Sequence, residues 1–224
     1  MELTKEQLLQ IDNYVFSCGI KYYDVRTEIV DHFANILEKK LAKNPDINFK
    51  KEIINIHRNF SDRGFSNLLK DKTRAVQKKF YNATLKHLIT FFKLPRILIS
   101  ATIFYVLFLL MNFFDDKKQF FEIFSLGALL SCFIFLILFF YRNKKKTKFL
   151  ALERSNNFNL FIMQLFQLFC YSVDFRTDES FLNLVHNNIQ LAVFVLIILF
   201  YWSGEFVYKK NKQLVKTQYP NIIV

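Results

Sequence analysis

Apolar positions follow two rhythms along this chain. Up to about residue 92 they recur every three or four positions, the spacing of one helix face; beyond residue 96 they run on almost without a break. The first rhythm predicts four helices. In "LTKEQLLQIDNYVFSCG" Thr4 is followed three residues later by Gln7, a capping-box start, and Leu8, Leu9, Ile11, Val15 and Phe16 form the apolar face before Gly19 ends the helix. The second helix spans roughly residues 23–41, with Val25, Ile29, Phe33, Ile36 and Leu37 on one stripe, and "NPD" at residues 44–46 breaks it. A third, residues 49–60, presents Ile53, Ile56 and Phe60 with Ile54 alongside, and "SDRGF" closes it. The fourth starts near Asn67 and carries Leu68, Leu69, Val76, Phe80, Leu85, Leu88, Ile89 and Phe92 on a basic helix leading to "FFKLPR", where Pro95 favours a bend.

The second rhythm predicts membrane spans. Residues 96–114 are apolar for ~18 positions after the first, which at a helical rise matches the hydrocarbon thickness. Residues 120–141 form a second span, joined to the first by "DDKKQ". Residues 156–173 form a third, interrupted by Asn156, Asn157, Asn159, Gln164 and Gln167. Residues 189–208 form a fourth, ending in Tyr201, Trp202 and Tyr208 beside a Lys-rich tail, as an interfacial aromatic belt requires. The expected fold is all-α: a helical domain over residues 1–75, an amphipathic connecting helix over 76–95, a four-span bundle over 96–208 and a basic tail over 209–224.

Charge orients this arrangement. The net charge of +12 would suggest nucleic acid in a soluble protein, but here the basic residues stand beside the apolar runs, which favours a membrane surface. Lys144, Lys145, Lys146 and Lys148 follow the second span and Lys209, Lys210 and Lys212 follow the fourth, whereas "DDKKQ" and "DFRTDES" are acidic or balanced. The positive-inside rule then puts both termini and both basic clusters in the cytoplasm. The clusters fix topology and are candidates for anionic-lipid contact. The first residues lack an apolar signal-peptide core, so no cleaved leader is expected.

Candidate chemistry is confined to "KYYDVRTEIVDHFANILEKK", which stacks Asp24, Glu28 and His32 at steps of four on one helix face. One helix cannot close a metal's coordination sphere, and neither a Glu-x-x-His nor a His-Glu-x-x-His spacing is present to bring partners. The expectation is a structural Glu–His pair at a core edge, with no metal and no cofactor. Cys18, Cys132 and Cys170 lack any CxxC or ligand spacing and read as reduced, small hydrophobes. The spans carry no ionisable residue at mid-depth, Glu122 and Glu205 lying near opposite ends, and no Pro or Gly pair breaks them in the manner of a transport site.

The order of features, "DVRTEIVDHFANILEKKL" and then "HRNFSDRGFSNLLKDK", resembles the HAAS-type small helical domain at the cytoplasmic N-terminus of many bacterial membrane proteins, and the chain as a whole resembles Bacteroidota-type polytopic membrane proteins. Arg26, Glu28, Asp31 and His32 match that domain's first element; residues 60–64 match its turn loosely, with "SDR" inserted. The resemblance implies a regulatory or interaction-forming domain without catalysis. The function expected is therefore a non-enzymatic inner-membrane protein whose helical domain mediates protein interaction, assembly or regulation of a membrane complex, with a small transporter or permease subunit as the alternative. Expected partners are membrane lipids and a protein partner or a second copy, and no nucleic acid. Phe80, Leu88 and Phe92 are the expected anchors, because the fourth helix's stripe is longer than three short helices can cover.

Overall fold

The computed structural model describes residues 2–60, 65–144 and 148–220. Among them the chain is all-helical: α1 (Lys5–Ser17), α2 (Tyr23–Lys43), α3 (Phe49–Phe60), α4 (Phe65–Ile89), α5 (Ile97–Phe113), α6 (Lys117–Asn143), α7 (Leu150–Asp174), α8 (Asp178–Leu182) and α9 (Leu184–Gln218). The local signals act as expected at the start. Thr4 Oγ1 accepts from Gln7 N at 3.2 Å while Gln7 Oε1 accepts from Thr4 N at 2.9 Å, and Gly19 leaves α1 at φ 95°, a backbone region that disfavours a side chain.

Helices α1–α3 and the start of α4 close one core. Ile11, Val15, Val25, Ile29, Phe33, Leu37, Ile53, Ile56 and Phe65 are buried there, and Leu150 at the start of α7 completes it. This head is stitched by Arg26 Nε to Asp12 at 2.6 Å, by Lys72 Nζ to Glu28 at 2.5 Å and by a Lys40–Glu52 pair. A second core lies between α6, α7 and α9, filled by rings: Phe121, Phe135, Phe158, Phe166, Phe169 and Phe194. Crowding in it is tight at Gly204, where a Cβ would collide with the ring of Phe158.

Two helices, α6 and α9, are long and apolar enough to cross a membrane, and a third span is formed if α4 and α5, bent by 75° at residues 93–96, are taken together. Helix α7 falls short of that test by composition: it keeps Ser155, Asn156 and Asn159 buried on its inner face. There Asn156 Nδ2 donates to Phe139 O at 3.2 Å and Asn143 Oδ1 at 3.1 Å, and Asn159 Nδ2 donates to Asn156 Oδ1 at 3.3 Å. Buried amides need such partners where water is excluded.

The structure changes the reading of two segments. Residues 209–218 continue α9 as helix, and Val215 is buried rather than part of a free tail. Helix α4 finds its covering surface inside the chain: His87 meets Ser203 and Phe206 on α9, and Phe91 meets Trp202 and packs with Val195 and Leu199. Phe80 is accordingly no external anchor, being 3 % exposed and edge-on to Phe158 at 5.5 Å.

Candidate functional site

The head meets the bundle at the first turn of α2. Helix α7 begins after Phe149 without a side-chain cap of its own, since "KFLAL" offers no Ser, Thr, Asp or Asn at that position. Asp24 supplies it from α2: its Oδ1 accepts from Leu150 N at 3.0 Å. Beside it Tyr23 N donates to Lys148 O at 2.8 Å, and the Tyr22 hydroxyl donates to Glu153 Oε1 at 2.6 Å. The rings of Tyr23, Phe149 and Tyr219 form a triangle with centroids 5.2–5.7 Å apart, so that the far end of α9 joins the same contact.

Electrostatics at this junction are set by burial. Desolvation pushes the Asp24 carboxyl above its ordinary value, against the lowering effect of the backbone N–H groups of Leu150, Val25 and Ala151. The Tyr22 phenol is pushed up by burial and then by Glu153, and the Tyr219 phenol by burial and then by Asp24. A cavity of about 430 Å³ opens next to Asp24 between α4 and α9, with Val76, Phe80 and Val207 among its apolar walls and Lys79, Lys210 and Tyr219 among its polar ones. The arrangement holds the start of α7 in place from α2.

The residues singled out from the sequence are dispersed. Asp24, Glu28 and His32 do not converge: Asp24 goes to α7, Glu28 pairs with Lys72 of α4, and among the described residues no cluster of three potential metal ligands forms. Arg26 ties α2 to α1, its guanidinium 5.2 Å from the Phe16 ring and 5.7 Å from that of Tyr23. Asp31 and His32 lie on the exposed side of α2. Leu88 is half-buried against the Phe91 cluster, while Phe92 is 54 % exposed. Lys144, Lys148, Lys209 and Lys210 are exposed and Lys212 is half-buried; Lys145 and Lys146 lie outside the described residues.

Sequence reading missed Tyr22, Phe149, Glu153 and Tyr219. The available signal was the uncapped start of α7, a helix end that must find its acceptor elsewhere. It also placed Glu205 near a span end without a partner. Arg142 of α6 holds it in a two-pronged pair at 2.7 and 2.9 Å, with the guanidinium 4.3 Å from the Tyr208 ring. No family model matches this chain, and no curated protein and no solved structure matches it either.

Proposed function

We propose that this chain is a four-span bacterial inner-membrane protein, with α5, α6, α7 and α9 crossing the bilayer and both termini cytoplasmic, whose helical head assembles or regulates a membrane complex without catalysis of its own. The observation that carries this reading is the junction. The head is not tethered by a loose linker; it grips the start of α7 through Asp24 and Tyr22 and the end of α9 through Tyr23. Force or displacement at the head is thereby delivered to two helices that run into the bundle. The outer faces of α1 and α3 expose Leu9 (59 %), Phe16 (51 %) and Ile54 (42 %), apolar groups suited to a protein partner. Match of Arg26, Glu28, Asp31 and His32 to the HAAS-type pattern supports the same role.

The basic residues around Lys144 and Lys209 suit anionic headgroups at the cytoplasmic face. Against the transporter alternative stands the filling of the bundle: Phe124, Phe169 and Phe194 sit ring to ring, and Phe135 lies 4.6 Å from Tyr201, where a conducting path would need polar lining.

Topology is tested by cysteine labelling in a Cys18→Ser background, with Lys144→Cys expected to react from the cytoplasmic side and Asp178→Cys from the other. Reaction of both from one side removes the four-span arrangement. Function is tested by isolating the chain from its native membrane in mild detergent. A stoichiometric protein partner retained by the intact chain and lost when Leu9 and Phe16 are changed to Ser supports the assembly role. A chain that runs alone at native expression level, with no partner in either form, defeats it.

A further inference from the structure

Helix α4 starts in the head's core at Phe65 and runs to the 75° bend that leads into α5. One imidazole ties it to both neighbours there. His87 Nδ1 lies 3.1 Å from Ser203 Oγ on α9, and His87 Nε2 lies 3.1 Å from Nη1 of Arg96, the residue before α5. The hydrogens at this joint can be placed one by one. A guanidinium nitrogen only donates, so His87 Nε2 must turn its lone pair toward Arg96. The second hydrogen of Arg96 Nη1 goes to Thr90 Oγ1 at 2.9 Å, and the Thr90 hydroxyl donates to the His87 carbonyl at 2.6 Å. A neutral imidazole then has its one hydrogen on Nδ1. Ser203 Oγ can accept it, because the hydroxyl's own hydrogen goes to Leu199 O at 2.8 Å. Phe206, stacked on the ring at 4.1 Å, and the edge of Phe91 at 5.4 Å keep the imidazole in this setting. Each donor thus meets an acceptor in one tautomer only.

We propose that His87 is a proton-operated latch on this bend: neutral, it fastens α4 to α9 and to Arg96 at the start of α5, and protonated, it releases Arg96 and lets the bend change angle. A proton added at Nε2 replaces the lone pair with a donor. It sets two donors and two positive charges face to face across 3.1 Å. No acid stands by to offset this. Lys86 and Lys93, on either side along the chain, are exposed and cationic themselves, and residues 97–104 of α5 carry no ionisable side chain. On α9, Glu205 and Tyr208 meet Arg142 of α6 and Tyr201 meets Phe135 of α6. Burial, and after it the Arg96 charge, hold the imidazole below its ordinary value. The fastening is therefore full above that ordinary value and is lost as pH falls below it. His87 is half-buried rather than sealed in, so protons reach it. Because α4 also supplies Phe65, Leu68 and Val76 to the head, the latch sets how the head's own helix is fastened to the bundle. The inference rests on contacts among α4, α5 and α9 and is independent of how many helices cross the bilayer.

The test uses the full chain in mild detergent, with Cys18→Ser and spin labels at Lys86→Cys on α4 and Tyr105→Cys on α5, both exposed and on either side of the bend. The label-to-label distance is expected to be single at about pH 8 and to give way to a second as the pH falls to about 5, across the imidazole range. His87→Gln keeps an acceptor for Arg96 and a donor for Ser203 without titrating, and is expected to hold the first distance throughout. Arg96→Ala removes the group that the latch holds, and is expected to show the second distance already at about pH 8. One and the same distance at both pH values in the chain with His87 and Arg96 intact overturns the latch. So does the same pH-dependent change in His87→Gln, or the first distance in Arg96→Ala. Should His87→Gln fail to fold, the intact chain and Arg96→Ala still decide the matter between them.

Discussion

Head and bundle are built in opposite senses. In the head the interior is aliphatic, apart from Phe33 and Phe65, and its charges sit on the rim as ion pairs. In the bundle the interior is a mesh of rings with polar groups embedded among them, and the outside shows Leu126, Leu130, Phe133, Ile134 and Ile137. The buried polar residues Thr84, Ser155, Asn156, Asn159, Asn187 and Ser203 all belong to α4, α7 and α9. On the proposed membrane reading, the contrast follows from the solvent each part faces. Water rewards a dry core and a charged rim, while a lipid surround gives no advantage to apolar burial and leaves packing of rings and internal hydrogen bonds to hold helices together.

If the two regions are independent in their cores, damage to one should stay there. Phe33→Ala removes a fully buried ring that faces Phe65 at 5.7 Å, and should destabilise the head by about 3–5 kcal/mol. Hydrogen exchange on the full chain should then show lost protection in α1–α3 and the first turn of α7, with α6, α9 and the rest of α7 unchanged; loss there too would merge the two units. Glu205→Ala strands Arg142 in the bundle and should lower its stability by about 3 kcal/mol, measured by thermal unfolding in detergent. Replacing both members with Leu should be milder than either single change.

The junction sharpens the comparison because its key group is an acid buried between the two regions. Asp24→Ala should weaken docking by about 1 kcal/mol through the lost cap. Burial raises the Asp24 pKa in the docked state, so this group's contribution is fullest below its undocked value and is lost as pH rises through the raised one. Docking followed by spin-label distance between head and bundle should therefore tighten on acidification from neutrality, and Asp24→Asn, which keeps an acceptor without the charge, should abolish that dependence. At the small end, Lys72→Ala breaks only an exposed pair with Glu28 and should change head stability by less than ~0.5 kcal/mol.

Elements with strong periodicity were legible from the sequence. The capping box at Thr4, the stop at Gly19 and the extent of α3 all follow from local chemistry, and each depends on residues within a few positions. What escaped depends on distant partners. The stripe on α4 was visible, but nothing local says that Ser203, Phe206 and Leu199 cover it, so its anchors were assigned to an external surface. Asp24 was visible as a charged group on a helix face, and its role depends on the start of α7, far along the chain. Gln164 and Gln167 read in sequence as one face bonding between helices; in the fold it is Asn156 and Asn159 that bond inside, while Gln164 and Gln167 are exposed.

The cap on α7 also sets an order of events during synthesis. Asp24 leaves the ribosome 126 positions ahead of Leu150, so its acceptor stays empty while the intervening helices are made. Only when α7 lies with its first turn toward the head do the N–H groups of that turn arrive where Asp24 can receive them. A helix threaded in the reverse sense would present carbonyls elsewhere and leave the acid without a partner. The finished contact is in effect a receipt for the correct sense of α7, issued by a helix made long before it.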